Sequence, residues 1–431
     1  MRRVLPLLTL AALLSFAACG DESGTSTPAP VLSGHLVGGS GELPGALQGV
    51  YFRSRSQQGF TDAAGTFTYR EGETITFGVA DVAFRPVPGT AELSPWQLAV
   101  EGRCEQSDEL ERLLVLLYSL DADGNPDNGI AVDPFDATLT RPLAELSDSD
   151  VAALIDQRIP GRVPLDSATA VDLFIHTMDS EEWEPIGVDV FPLATGLVRS
   201  QGLTTDGASW FFSWQLGLER TALDYTVELS RTTAIPPEVT LLGGNHIGDI
   251  DFWNGTLYAP IEDGREYLHP HLVLFDPATL TPIRIHELTD VPLTDGVPWV
   301  AVDGPRDRIY VAVWDPTPEI FVLDLQTLEY RGSIPLRRTL GRIQGAKVFE
   351  GSLYASTDNE AKDILKINLE TGTVINLFGL HQDFEEEGLV FLERPDGSRL
   401  HTLNVQNPAR GTELRHHRRI RAPLRQAVCR D

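Results

Sequence analysis

The side chains best suited by type and spacing to do chemistry recur at one interval. Gln201, His246, Trp299, Gln344 and Glu387 each stand at or near the start of a short strand-like run. Most of these runs are built around a glycine, and the matched positions are Gly202, Gly248, Val300, Gly345 and Gly388, spaced by 46, 52, 45 and 43 residues on subtraction. A second set stands where the following strand would end: Trp214, Glu262, Trp314, Asp315, Asp358 and Asn404. An inert core would carry Val, Leu or Ala at such places. Aromatic walls with a few convergent polar groups are instead the composition of a binding pocket. Glu387 beside His246 would favour the imidazolium, and such a pair orients a polar ligand or moves a proton.

Other chemistry-bearing patterns are few. No GxSxG, HExxH or CxxC occurs, so neither a standard nucleophile nor a standard zinc motif is present. Asp121, Asp123, Asn125 and Asp127 alternate like the oxygen ligands of a calcium loop. Pro126 stands where an EF-hand has its turn glycine, and no Glu closes the loop at the twelfth position. The segment reads either as a structural Ca²⁺ site completed by carbonyls or Asp133, or as an Asx-rich turn after a helix. His269 and His271 flank Pro270 in a turn, and the basic run Arg415–Arg419 reads as a salt-bridged strand surface.

The elements that must position these residues follow from the repeats. Second strands SWFFSW, TLYAPI, RIYVAV, SLYAST and RLHTLN succeed the five first strands. Repeats of about 40–50 residues with several short strands are the signature of propeller blades. The expected fold is mainly β: a small β-sandwich over 31–100, a helical segment over 101–186, and a five-bladed β-propeller over 187–431. A sixth blade is expected if 187–197 forms more than a closing strand. Rotational pseudo-symmetry would bring positions one repeat apart together around the axis, in a funnel. Within 101–186, Asp108 with Glu111 suggests a capping box ahead of a leucine-faced helix, and further helices are expected over 149–157 and 167–178.

The N-terminus sets the compartment. A basic start, an apolar run over 4–16 and small residues before Cys19 make a secretory signal over 1–19. The run is shorter than the ~20 apolar residues that span a bilayer. Residues 20–30 are Gly, Ser, Thr, Pro and acid, suited to a flexible tether. In an oxidising compartment Cys104 and Cys429 are a candidate disulfide, the alternative being two free buried thiols. The formal net charge of −28 repels phosphate backbones, so no nucleic-acid partner is expected.

Three resemblances follow from quoted residues. Phe16-Ala17-Ala18-Cys19 resembles a bacterial lipobox, with Phe16 in place of the usual Leu; it implies a lipid on Cys19 and a membrane-tethered location in the cell envelope. Thr61, Asp62, Gly65, Phe67 and Tyr69 resemble the "TDxxGxFxY" turn of transthyretin-like or carboxypeptidase-regulatory β domains, which act as stalks. The "QGL" at Gln201–Leu203, the "LYA" at Leu257–Ala259 and Leu353–Ala355, and the "EGL" at Glu387–Leu389 resemble NHL-repeat, gluconolactonase-like and five-bladed glutaminyl-cyclotransferase propellers. These residues imply a tethered extracytoplasmic binding protein for a small polar molecule, glycan or peptide. The alternatives are a propeller enzyme, either a metal-dependent lactonase-like hydrolase or a cyclotransferase, and a protein-docking scaffold. The cyclotransferases carry a glutamate in the second strand, where this chain has Ser213 and Trp214.

Overall fold

The structure is a computed structural model and describes residues 29–39, 45–99, 107–134, 137–193, 198–380, 383–406 and 411–424. Cys19, Cys104 and Cys429 lie outside the described residues, and with them the expected lipid anchor and disulfide. Among the described residues no helix is long and apolar enough to cross a membrane.

The chain is mainly β. In the N-terminal part, Val31–Leu36 pairs antiparallel with Thr66–Arg70, and Tyr51–Arg53 pairs with Thr74–Val79. Asp62 Oδ1 accepts the Ala64 and Thr66 N–H groups at 2.9 and 2.8 Å. Gly65 sits at φ +70°, where a Cβ would come 2.3 Å from the Leu36 carbonyl oxygen, so the turn needs glycine. The turn sets Phe67 inward against Phe77, with ring centroids 5.0 Å apart.

Three helices follow: Asp108–Ser119, Asp148–Arg158 and Ser167–Asp179. The first is capped one residue earlier than expected, by Ser107, whose hydroxyl accepts the Leu110 N–H at 3.1 Å. Leu110, Leu113, Leu114 and Leu117 join Phe67, Phe77, Leu154 and Phe174 in one apolar core. Apolar residues on both sides of residue 100 thus share one core, and the short strands Ile130–Ala131 and Arg141–Pro142 pair back to Leu47–Gln48 and Val82–Ala83.

Among the described residues, 182–421 form five antiparallel sheets, four of them four-stranded and the second five-stranded because its first strand is split in two. Their first strands are Gly202–Thr205, Asp251–Trp253 (preceded by His246–Ile247), Ala301–Asp303, Ile343–Phe349 and Phe384–Phe391. These strands touch one another in cyclic order, the last returning to the first. Glu182–Phe191 is the outer strand of the fifth sheet, paired along Gly411–Arg421, and so serves as a closing strand. Five apolar clusters fill the five gaps between neighbouring sheets, for example Phe211 with Leu257 and Phe275, or Trp210 and Phe212 with Leu403 and Leu414. Buried Glu181, just before the closing strand, binds Lys366 at 3.1 Å and Arg419 at 3.2 Å and accepts the Tyr354 hydroxyl. This ties the end of the last helix to the fourth and fifth sheets.

The centre of the ring is closed. A Cβ on Gly345 would lie 2.6 Å from the Gly388 Cα, and one on Gly388 would lie 2.9 Å from the Gly202 Cα. Only glycine permits three main chains to approach so closely. Between them stands Asp249, wholly buried, with Oδ1 accepting the Leu203 N–H and Oδ2 accepting the Ala346 N–H, both at 3.1 Å. Lys347, also buried, donates to Oδ2 at 2.6 Å. Burial pushes the Asp249 carboxyl up to about 7, against the pull of the Lys347 ammonium.

In the fifth sheet the expected salt-bridged run holds for the arginines and not for the histidines. Arg415, Arg418 and Arg419 pair with Glu413, Glu184 and Glu181, whereas His416 and His417 are buried. His401 Nε2 contacts the Leu392 carbonyl at 2.8 Å, and its Nδ1 lies 2.7 Å from His416 Nδ1.

Two outcomes are expected. Asp249→Ala leaves a buried ammonium unpaired and lowers stability by about 3–5 kcal/mol in urea denaturation, and adding Lys347→Met recovers part of the loss. Burial holds His401 down at about 4 and His417 at about 3, below their ordinary 6.5. The unfolded chain therefore binds protons first. The stabilisation is complete above pH ~6.5 and is lost as pH falls toward those values. Melting temperatures measured across that range should drop with acid, and His417→Asn should flatten part of the fall.

Candidate functional site

The five first strands all begin at one end of the ring, called here the leading end, and several break at the matched glycine. Pairing shifts register between Ile343 and Gly345 and between Glu386 and Leu389, and residues 248–250 interrupt the second sheet's first strand. Such bulges re-aim side chains, and Gln344 and Glu387 sit on them.

Four of the expected residues form one hydrogen-bonded chain across three sheets. Gln201 Nε2 donates to Glu387 Oε1 at 3.4 Å, and Gln201 Oε1 accepts from His246 Nε2 at 2.6 Å. His246 Nδ1 lies 3.1 Å from Glu262 Oε1, and Glu262 Oε2 accepts the Val297 N–H at 2.5 Å. An amide oxygen only accepts, so in this arrangement His246 Nε2 is the donor to Gln201. The His246 side chain is 24% exposed, and Gln201 beside it is also only partly buried. Glu387 does not touch the imidazole, because Gln201 stands between them; the acid beside the ring is Glu262.

Glu387 is buried with no cation against it among the contacts described. Burial first, then the Glu385, Asp358, Asp249 and Glu386 carboxylates, push it well above the ordinary carboxylate range. The shift favours the protonated carboxyl, which can donate a hydrogen bond. Glu386, raised by burial, accepts from the Asn404 amide. Asp358 is held by Arg342 and Lys362, and the Arg342 guanidinium lies 5.3 Å over the Trp314 ring. A cleft of about 330 Å³ lined by Asp315, Arg338, Gly341, Arg342, Thr357 and Asn359 opens at the same end.

The remaining candidates lie apart. Trp299 is wholly buried between the third and fourth sheets, packed with Tyr310, Ile343 and Leu353, and is a core residue rather than a funnel wall. Trp214 folds onto Gly217 of its own hairpin, where a Cβ would strike the indole at 2.1 Å. Gln344 is half-buried on its bulge. In the Asp-rich loop, Asp121 accepts the Asn125 and Ala131 N–H groups, and Asp123 accepts the Asn125 N–H and the Asn128 amide. These carboxylates are engaged in an Asx-type turn, and no group of three metal-ligating side chains occurs among the described residues. The Asp127 side chain lies outside the description. Sequence reasoning missed Arg342 and Lys362. Arg342 directly precedes a first strand, which was the available signal.

No protein-family model matches the chain, and no curated protein does. Among solved structures, hydrazine synthase from Kuenenia stuttgartiensis is similar at 16% identity and a TM-score of 0.32. That alignment covers 48% of this chain and 56% of the other, so the chain spans little more than half of that structure.

The neutral state of Glu387 is testable. A raised pKa contributes stability that is full below the ordinary 4.5 and lost as pH rises through the raised value. Glu387→Gln keeps the uncharged shape. It should match the parent in denaturation at about pH 5 and gain relative stability at about pH 8. Equal loss at both would mean the carboxylate is charged in the fold.

Proposed function

We propose that this chain is an exported binding protein, tethered to a membrane of the cell envelope by a lipid on Cys19. Its five sheets form a five-bladed β-propeller whose leading end holds a small polar solute. The cyclic contacts of the first strands, the five inter-sheet cores and the closing strand from before the first repeat support the propeller. The signal sequence and the polar stretch over 20–30 support the tether.

The observation that carries the binding reading is the chain Glu387–Gln201–His246–Glu262. It fixes hydrogen-bond donors and acceptors before any ligand arrives, which lowers the entropic cost of binding. Acids crowd the same end at Glu262, Glu385 and Glu386, while Arg342 and Lys362 supply cations. That mixture suits a solute bearing both an amine and a carboxylate, such as an amino acid or short peptide. A second reading, an enzyme, is favoured by the neutral Glu387 carboxyl, which has the protonation state of a general acid.

Calorimetric titration of the mature protein with amino acids and dipeptides tests the site. His246→Ala and Gln201→Ala should each weaken binding about ten-fold or more, with thermal unfolding nearly unchanged. Affinity indifferent to both would remove the leading end as the site. Product formation lost in Glu387→Gln with binding retained would establish the enzyme. Cys19→Ala should abolish incorporation of labelled palmitate and release the protein from the membrane fraction.

A further inference from the structure

The largest cavity described opens at the opposite, trailing end of the ring. It has a volume of about 1000 Å³ and is walled by residues that end the first strands or form the turns after them. Its inner wall includes Thr204, Asp251 and Lys347. Beyond them the closely packed glycines and Asp249 fill the centre, so the cavity does not run through to the chain of His246 and Gln201.

Its walls are specific in kind. Trp253 is 38% exposed and lines the cavity at the tip of a hairpin. Asn254 and Gly255 turn that hairpin with φ of +46° and +78°, the pattern of a tight Asn-Gly turn. The indole lies against Gly304 of the next sheet, where a Cβ would fall 1.8 Å from the ring. The absence of a side chain at Gly304 is what lets the ring lie there. Across the cavity Phe349 and Phe391 stack at 4.0 Å, and Arg399 lies 5.1 Å over Phe349.

The polar groups carry both signs. Arg306 Nη1 is held by buried Asp303 at 2.8 Å, while its Nη2 is buried without a hydrogen-bond partner. Arg399 is held by Glu350 at 3.2 Å. Asp307 and Glu393 stand exposed on the lining. The Arg306 side chain as a whole keeps 19% of its surface exposed on the lining of the cavity, where its guanidinium can donate. An exposed aromatic face beside guanidinium donors and carboxylate acceptors matches one chemistry well. A sugar ring lays its apolar C–H face on an indole while its hydroxyls both donate and accept at the edge. A wholly anionic ligand would meet Asp307 and Glu393, and a cationic one would meet Arg306 and Arg399.

We propose that the trailing cavity is a saccharide-binding site, with Trp253 as the stacking platform and Arg306 as the principal hydrogen-bond donor. It is independent of the amine-bearing solute proposed for the leading end. The space is at the upper end of the range of small-molecule pockets and admits a short oligosaccharide.

The experiment is calorimetric titration of the mature protein with maltose, lactose and chitobiose, and separately with tetramethylammonium. At least one disaccharide should bind saturably in the millimolar range or tighter. Trp253→Ala and Arg306→Gln should weaken it about ten-fold or more, and Trp253→Phe, which keeps an aromatic face, should weaken it less. Gly304→Ala, which displaces the indole without removing it, should also weaken it. His246→Ala should leave it unchanged, which separates this site from the leading end. No saturable binding of any of the three would overturn the proposal. So would binding indifferent to Trp253→Ala and Arg306→Gln, or binding of tetramethylammonium alone.

Discussion

The ring is organised around one buried carboxylate. Asp249 accepts main-chain N–H groups from the first and fourth sheets and the ammonium of Lys347, while its own main chain belongs to the second. Its N–H in turn donates to the Pro298 carbonyl, which leads into the third sheet, at 2.8 Å. One residue of the second sheet thus bonds to the first sheet, the fourth, and the segment that leads into the third. The close approach of Gly202, Gly345 and Gly388 is what leaves space for one carboxylate and nothing larger. A buried ion pair is weak as a source of net stability, but removing one partner is costly, and that asymmetry favours a single arrangement of the inner strands.

The leading end inherits its geometry from this centre. Gln201 and Glu387 each precede one of the packed glycines, so the separation of their side chains follows from how closely those glycines approach. Two buried acids only a few residues from the centre then diverge in character. Asp249 has Lys347 and two amide donors. Glu387 has an amide donor and a ring of carboxylates. Desolvation raises both, and the difference in partners gives one an ammonium to pair with while the other is pushed further toward its protonated form by neighbouring carboxylates.

The two ends of the ring differ because the inner strands all run the same way. Their starts carry long polar side chains on bulges. Their ends carry hairpin turns that project aromatic rings, as Asn254-Gly255 projects Trp253. The packed centre keeps the two ends apart, so each can evolve its own surface without disturbing the other.

Much of this was legible in the residues. The spacing of 46, 52, 45 and 43 residues specified five equivalent units, because each short amphipathic sheet buries its faces only against a neighbour like itself. The matched Gln201, His246 and Glu387 pointed to one end, and Thr61-Asp62 with Gly65 specified its turn by side-chain acceptance and a positive φ. Asp249 also left a trace. It is the only acid after a matched position, where the other units have Leu203, Ala301, Ala346 and Leu389. What type and spacing did not decide was direction. Trp299 matches the funnel residues in register yet turns into the gap between two sheets, since an indole suits a core as well as a pocket. Ser107 rather than Asp108 caps its helix because both are good caps and only the backbone's exit angle separates them. The surroundings of Glu387 and the cavity beside Trp253 depend on contacts between residues tens to hundreds of positions apart. Sequence order carries no distance across such gaps, and only the closing of the ring supplied it.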